Sequence, residues 1–503
     1  MTVSFWTLGC KLNQTESDCL AAAFAAAGFD VVPQKGDLRV INTCTVTGKA
    51  EQKMRHIVRL ERADENALLI VTGCAIKKRE VQGRVFYLPA QDKPRLTEFP
   101  SRLRNILLED KHYEREAAAT NVADPSLQPS QKRKPSRTCA FAPSYATPSA
   151  GDTPKVSWTP GIKDAPTPSP DPGVEQHPVA ETTAHRNVLQ AAILDWFTSL
   201  DPITPADPFV FEQGLAEYAA SPRSRPFLKI QDGCGNACTY CAVTIVRGPS
   251  ASLDKTAVLE RLCFLEDAGF SEAVLTGVNI CSYPDLAGLI AYLLENTGRI
   301  RLRLSSLEPD AVDDRLLRAV SLPRVRPHFH LSVQSGSDAV LARMGRRYEA
   351  AVVERVCADL RAVKDDPFLA CDIIAGFPGE TEADFAATHA LCEKAAFAWI
   401  HAFPFSPRPG TAAAKMRPQV PQREAVARVE RLLRLAQAGM TAYEKRWEGR
   451  AVEAVIERYD SGDETINVVT ENYLKRKLPR EQIEDKKPGA TIRIVDGKVV
   501  MIP

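Results

Sequence analysis

The chain has 503 residues, with 64 Lys and Arg against 63 Asp and Glu, 44% hydrophobic and 25% charged. A net charge of +1 excludes nucleic-acid binding by a global basic field, so any such contact must come from local patches. Thirteen cysteines without a disulfide-framework pattern point to a reducing compartment. The start, Met1 to Trp6, lacks the basic segment and apolar core of a secretory signal. The alanine-rich stretch Leu20 to Phe29 is too short to span a bilayer. The expectation is a cytoplasmic, multidomain α/β protein with no membrane contact.

Residues 1–110 alternate strand and helix patterns. Val3 to Leu8, Arg39 to Asn42 and Ala67 to Thr72 read as strands. Thr15 to Ala27, with Thr15 as N-cap and Gly28 beyond its end, and Gln52 to Arg62 read as helices. The βαβαβ order implies a parallel sheet whose strand C-termini share one edge. Cys10, Cys44 and Cys74 each follow one of those strands, Cys10 and Cys74 directly after a glycine. Ligands of open α/β sheets bind at that edge. The three thiols therefore read either as a converging metal site or as small residues filling gaps under loops. Cys19, on the first helix, reads as core.

Residues 111–222 change character. The stretch from 113 holds 16 of the 36 prolines and many Ser, Thr and Ala, a composition that reads as a largely disordered insertion. Gln131 to Lys134 is basic, and Cys139 reads as a free thiol. Arg186 to Leu200, with Val188, Ala191, Ile193, Leu194, Phe197 and Leu200, reads as one amphipathic helix.

Residues 223–448 repeat the strand–helix alternation six times. Strands are expected at Phe227–Gln231, Glu272–Gly277, Arg301–Ser305, His328–Val333, Leu369–Ala375 and Ile400–Phe405. Six such units suggest a partial (β/α)6 barrel with its site at the strand C-terminal face. After the first strand comes Cys234, Cys238 and Cys241, a C-x3-C-x2-C run. Thiolates suit iron–sulfur clusters, and three of them leave one iron of a cubane open. A structural zinc site is the competing reading, but it usually takes a second ligand pair, and none follows. Turns after the later strands carry Thr276, Gly277 and Asn279, then Glu308, then Gln334, then Gly376 and Pro378. His328 and His330 alternate on one strand and read as core or cavity-wall residues.

Residues 449–503 alternate as strands over Ala451–Glu457, Ile466–Val469 and Ala490–Val495, which reads as a small β-barrel. Tyr473 beside Lys475, Arg476 and Lys477 forms a local basic patch, in a segment with ten basic and ten acidic residues.

The cysteine run with its ordered turns resembles the radical S-adenosylmethionine (SAM) enzymes. Gly9-Cys10-Lys11-Leu12-Asn13-Gln14, Ile41-Asn42-Thr43-Cys44 and Val71-Thr72-Gly73-Cys74 resemble the N-terminal domain of the methylthiotransferases. The Gly-Cys-Lys-x-Asn-Gln form is most similar to the branch acting on N6-threonylcarbamoyladenosine in tRNA. The resemblance implies two [4Fe-4S] clusters. One, on Cys234, Cys238 and Cys241, would bind SAM at its open iron and make the radical. The other, on Cys10, Cys44 and Cys74, would present the sulfur. Tyr240 would pack near the adenosyl group, Thr276, Gly277 and Asn279 would hold the SAM amino group, and Glu308 and Gln334 would line the cavity. Gly376 and Pro378 would let backbone approach the adenine. The 449–503 segment resembles the TRAM domain, an OB-like RNA-binding module. It implies RNA contact through Tyr473, Lys475, Arg476 and Lys477; Arg346 and Arg347, in a further family-like stretch, are candidates for RNA or SAM contact or else a surface helix edge. Where the family often has arginines, Pro249 to Ser252 has none, which weakens anion contact by that loop. Implied partners are a tRNA anticodon loop, a low-potential electron donor and a sulfur donor, and the chain is expected to be a monomer. Competing functions are methylthiolation of isopentenyladenosine in tRNA, of a ribosomal-protein aspartate, and non-catalytic RNA binding by an iron–sulfur protein.

Overall fold

The computed structural model describes residues 1–44, 48–109, 179–200, 207–209, 223–459, 462–483 and 486–500. The N-terminal sheet contains β1 (Thr2–Thr7), β2 (Asp30–Val31), β3 (Leu38–Thr43), β4 (Leu68–Gly73), β5 (Glu80–Gln82) and β6 (Val85–Pro89), in the order β2-β1-β3-β4-β6-β5. All pairings are parallel except β5 with β6. Every residue of β3 and β4 is buried, as expected for central parallel strands covered on both faces. The sequence pattern located β1, β3 and β4 but not β2, β5 and β6. The first two are too short for any periodicity, and β6 ends on Pro89.

The first helix spans Lys11–Ala26, five residues longer at its start than the Thr15 cap would allow. Cys10 is the N-cap, and the Thr15 hydroxyl instead donates back to the Lys11 carbonyl at 3.0 Å. The early start follows from Asn13, whose amide donates to the Leu8 carbonyl (2.9 Å) and the Thr43 carbonyl (2.8 Å) and so pins the strand-to-helix turn.

The helix Val179–Ser199 belongs to this unit's core, although composition alone assigns it to the insertion. Leu189, Ala192, Ile193, Trp196 and Phe197 are buried, and Trp196 stacks on Phe99 with ring centroids 4.6 Å apart. The buried stripe thus passes through Ala192 and Trp196, and Leu194 faces outward. The basic run near Lys132 and Cys139 lie outside the described residues.

The second unit begins with β7 (Phe227–Lys229), β8 (Gln231–Asp232) and β9 (Ala251–Ser252), the last two paired antiparallel across the cysteine loop. Then follow β10 (Glu272–Thr276), β11 (Arg301–Leu304), β12 (His328–Gln334), β13 (Phe368–Ala375) and β14 (Trp399–Pro404). Parallel triplets β11-β10-β7 and β12-β13-β14 are joined by the bridges Leu302–Val325 and Leu307–Leu331. The result is the open six-stranded barrel that the alternation implied.

The C-terminal unit is a five-stranded antiparallel sheet, β17-β16-β15-β18-β19, of β15 (Val452–Ile456), β16 (Thr465–Thr470), β17 (Lys475–Pro479), β18 (Thr491–Val495) and β19 (Lys498–Val500). It seats on the N-terminal ends of the barrel strands. Glu272 at the start of β10 is fully buried between Arg303 (2.7 Å) and Arg326 (2.7 Å), and Arg326 continues to Glu453 of β15 (2.8 Å).

One carboxylate joins the first unit to the barrel. Glu16, buried on the first helix, pairs with Lys93 of its own unit, with Lys229 of β7 (3.4 Å) and with Arg247 (3.1 Å). Asp232 closes the network on Lys229 (2.5 Å) and Arg247 (3.0 Å).

Two outcomes are expected. Trp196→Ala should cost about 3–5 kcal/mol of stability, read by denaturant unfolding of the full chain; a loss under ~1 kcal/mol would mean the helix is dispensable to the core. Acid is the second probe. Burial alone would raise the Glu272 carboxyl, but Arg303, Arg326 and Arg225 hold it down at about 2. A depressed carboxyl contributes stability that is present above the ordinary value of about 4.3 and is lost as pH falls through the folded value. Unfolding stability should therefore drop between about pH 4 and pH 2, and Glu272→Gln should flatten that drop.

Candidate active site

The loop that follows β8 turns at Gly233 and carries Cys234, Cys238 and Cys241, all partly exposed and none in a disulfide. Backbone bonds fix it from both sides. The Cys234 amide donates to the Gly248 carbonyl (3.2 Å), Thr239 N–H to Met344 (2.9 Å), and Ala413 N–H to Thr239 (2.8 Å). Burial pushes the Cys241 thiol up to about 11, and the Cys238 and Cys234 thiols beside it add to the shift. The Cys238 thiol is raised by burial first, with Glu308 and Cys234 adding to the shift and Arg346 opposing it. Two neighbouring thiols whose ionisation is hindered in this way suit a cationic cluster, which deprotonates bound thiols outright.

The chain segments that carry the other three cysteines lie side by side at the C-terminal edge of the first sheet. A Cβ on Gly9 would sit 2.6 Å from the Cys44 sulfur, and a Cβ on Gly73 would sit 2.4 Å from the Thr43 carbonyl. Both glycines have φ above +100°, so the close approach of the three chain segments requires them. The Cys74 amide donates to the Thr43 carbonyl, next to Cys44, at 3.2 Å. Cys10 is exposed and is the N-cap residue of the first helix. Among the described residues no three His, Cys, Asp or Glu side chains are gathered tightly enough for a single ion. A cubane bonds each thiolate to a different iron, so its ligands stand apart.

Two guanidinium groups of the barrel unit reach this triad. Arg247, which ends the helix Val243–Arg247 just past Cys241, lies within electrostatic range of Cys10 and Cys74 and donates to Asn13 Oδ1 at 2.9 Å. Arg408, after β14, lies in range of Cys44 and pairs with Glu51 at 3.2 Å. Arg247 thus links the loop of Cys234, Cys238 and Cys241 to the sheet edge that carries Cys10 and Cys74. Sequence reasoning weakened anion contact by the loop after Cys241 because its later arginines are missing; Arg247, just before that gap, pairs with Glu16 and Asp232. Lys11 was also passed over. Burial, with Arg303 and Arg225, lowers its ammonium to about 8, and Asp372 and Cys10 act the other way.

The remaining expected residues divide. Glu308 accepts from Asn236 Nδ2 with both oxygens (2.8 and 2.9 Å) and pairs with Arg346 at 2.6 Å. Arg346 also donates to the Tyr240 hydroxyl at 2.9 Å. These four side chains form one polar cluster beside the cysteine loop, so Arg346 faces the cavity and not an RNA surface. Tyr240 meets Phe377 edge-on, with centroids 6.4 Å apart. Gln334 ends β12 in left-handed backbone (φ 65°), after a register shift, which is strain of the kind stored at functional sites. Thr276 and Asn279 are buried in the turn after β10, whose Asn279 amide donates to Gln231 Oε1 at 2.8 Å. Gly277 packs on Gln231, where a Cβ would be 2.9 Å from that oxygen. At Gly376 a Cβ would fall 2.4 Å from Ala425 of the helix Gln422–Arg446, so helix packing is what demands glycine there, and Pro378 is buried in the same turn. Tyr473 does not offer a free ring for base stacking. It lies on His328 at 4.1 Å and near Phe368 at 5.9 Å, inside the joint between the C-terminal sheet and the barrel. Arg476 is paired with Glu444 (2.7 Å), while Arg347, Lys475 and Lys477 are exposed. Among the described residues no helix is long and apolar enough to cross a membrane.

Comparison with known proteins agrees with this geometry. Residues 228–392 match the Radical SAM superfamily, and residues 2–85 match the Uncharacterized protein family UPF0004. A threonylcarbamoyladenosine tRNA methylthiotransferase MtaB of Treponema pallidum is 38% identical, over 98% of this chain and 98% of the relative. Proteins of the same name from Thermotoga maritima and Bacillus subtilis are 29% and 27% identical, over 91% and 94% of this chain and 87% and 89% of theirs. A solved radical SAM methyltransferase, TsrM of Kitasatospora setae, superposes with a TM-score of 0.43 at 13% identity, over 82% of this chain and 74% of its own. With its barrel, its two cysteine triads and a 38% identical relative spanning nearly its whole length, the chain belongs to the threonylcarbamoyladenosine tRNA methylthiotransferase family of radical SAM enzymes.

Proposed function

We infer that the chain is a tRNA-modifying transferase that replaces the C2 hydrogen of N6-threonylcarbamoyladenosine, next to the anticodon, with a methylthio group. The observation that carries the reading is the kinship over 98% of the chain with a relative of that name. The two triads supply its chemistry. Adenine C2–H is an unactivated aromatic position, and no side chain is basic enough to remove that proton. When bound, SAM on a reduced [4Fe-4S] cluster supplies hydrogen abstraction and methyl groups, and a second cluster supplies sulfur.

The chain's own residues position these groups. Cys234, Cys238 and Cys241 would hold the SAM-binding cluster, and Cys10, Cys44 and Cys74 the second. The Glu308–Arg346–Tyr240–Asn236 cluster orders the side of the cavity next to the first triad, and Glu308 is placed to receive a hydroxyl or amino group of SAM. Arg247 and Arg408 neutralise charge at the second triad. The target base must be unstacked to enter, which a single-stranded anticodon loop allows. A low-potential electron donor and a sulfur source complete the cycle, in the cytoplasm. Units 1–110, 223–448 and 449–503 carry these roles. The antiparallel C-terminal sheet supports a TRAM-like reading, with Lys475 and Lys477 as its exposed phosphate contacts. These relatives do not favour the isopentenyladenosine and ribosomal-protein alternatives.

Reconstituted under anaerobic conditions, the chain should bind about eight irons, and the triple variant of Cys10, Cys44 and Cys74 to Ala about four. That variant should still cleave SAM and should form no methylthio product; retention of full iron would remove the second cluster. Nucleoside mass spectrometry of tRNA from a strain lacking the gene should show loss of methylthio-threonylcarbamoyladenosine, and an unchanged profile would reject the assignment.

A further inference from the structure

The second helix, Gly48–Ala63, covers the first sheet and shows a basic face to solvent. Arg55, Arg59 and Arg62 are exposed and follow at spacings of four and three, so they stand in one row with neighbours about 5–6 Å apart. Beside that row runs an open groove of about 470 Å3. The three arginines wall it, and Met54, Val58, Ile76 of the loop after β4 and Tyr87 of β6 form its floor.

The floor rests on the apolar cluster of Ile41, Ile57 and Val71, with Met54, Ile76 and Tyr87 only half-buried. A merely solvated basic face has no such apolar and aromatic bed. No acidic side chain lines the groove. Glu61 and Asp64, close by in the chain, are both held by Arg39 of β3, so Arg59 and Arg62 have no acidic partner among the described residues. The positive charge is thus local and unbalanced in a chain whose net charge is only +1.

Its place is at the rim of the site. Ile76 lies two residues past Cys74. Glu51, one helical turn before Arg55, pairs with Arg55 at 2.7 Å and with Arg408, which follows β14, at 3.2 Å. The groove therefore begins one turn from the joint between the first sheet and the barrel and runs away from it. A base drawn into the cavity stays tied through its backbone to nucleotides that remain outside. A single strand leaving the rim carries phosphates in a row and bases with open faces, which a row of cations beside an aromatic ring complements. An acidic reducing protein would also meet the charge, but it must serve the cysteine loop of the barrel, and the groove belongs to the other unit.

We propose that this groove docks the single-stranded RNA that flanks the reacting base, with Arg59 and Arg62 on successive phosphates and a neighbouring base stacked on Tyr87. The inference rests on the tRNA reading above and adds a nucleic-acid surface outside the C-terminal sheet.

The test uses the reconstituted holoenzyme and an anticodon stem-loop RNA that carries threonylcarbamoyladenosine. Binding is read by fluorescence anisotropy between about 50 and about 200 mM KCl. Arg59→Gln combined with Arg62→Gln should weaken binding at least about tenfold and reduce the slope of log affinity against log salt by about 1.4. The paired lysine variant, Arg59→Lys with Arg62→Lys, should stay within ~3-fold of wild type, since a phosphate contact needs the charge first. Tyr87→Leu should weaken binding about fivefold or more with the salt slope unchanged. The arginines are exposed, so the glutamine pair should load iron as the wild type does; if Tyr87→Leu loads less, the arginine variants decide. Unchanged affinity and slope in the glutamine pair overturn the proposal, as does an equal loss in the lysine pair. Normal RNA binding, with turnover lost only when a reducing protein replaces dithionite, gives the groove to the electron donor and also overturns it. If the wild type modifies the RNA while the glutamine pair binds it equally well, this inference alone fails. If the wild type neither binds nor modifies that RNA, the tRNA reading itself fails.

Discussion

A buried carboxylate with three cationic partners, Glu16, sets the geometry on which everything else in this chain rests. It sits on the first helix six residues after Cys10, and two of its partners, Lys229 and Arg247, belong to the barrel on either side of the cysteine loop. Taking four or five charged groups out of water costs several kcal/mol per ion, which the mutual attraction only about repays. The network is therefore a poor source of stability. It is a demanding source of position, because removing any one member strands the others and costs about 3–5 kcal/mol. A hydrophobic interface of the same area would tolerate sliding. This one has a single register.

Register matters because the two triads are separate in the chain and sit on different units, so their relative position depends on how those units meet. Arg247 shows how tightly the two functions are tied. It closes the loop that holds Cys234, Cys238 and Cys241, completes the Glu16 network, and places its charge beside Cys10 and Cys74. Moving the barrel relative to the first sheet would break the ion network and uncover the second triad's charge at the same time.

What could be read from the sequence follows from how local each signal is. The barrel strands were legible because each is a run of apolar residues ending in a polar or glycine turn, and strand order follows chain order. The cysteines were legible because spacing and strand ends are local properties. The start of the first helix was not, because Asn13 caps the turn through carbonyls of Leu8 and Thr43, the second of them thirty residues away. Helix Val179–Ser199 was placed in the insertion because the prolines before it dominate the composition, while its Trp196 packs on Phe99 and its Phe197 on Phe86. Arg346, Lys11 and Tyr473 were misjudged or missed for one reason. Their partners come from other units, and a lone basic or aromatic residue in a sequence carries no sign of which surface it will meet.

The seat of the C-terminal sheet limits what that unit can do. Its contacts run through Arg225, Ser271, Arg303, Arg326 and Asp365, all at or before the starts of barrel strands, except Arg303, which lies within β11. The triads and the cavity mouth lie at the opposite ends of those strands. The sheet is anchored at their starts, and Lys475 and Lys477 stay exposed on its edge strand β17. Tyr473 has a structural part at this joint. Its ring packs on His328, and the Arg225 and Arg303 guanidinium groups lie 5.8 and 5.2 Å from its centroid, so the ring is held among barrel residues and is not free to stack a base.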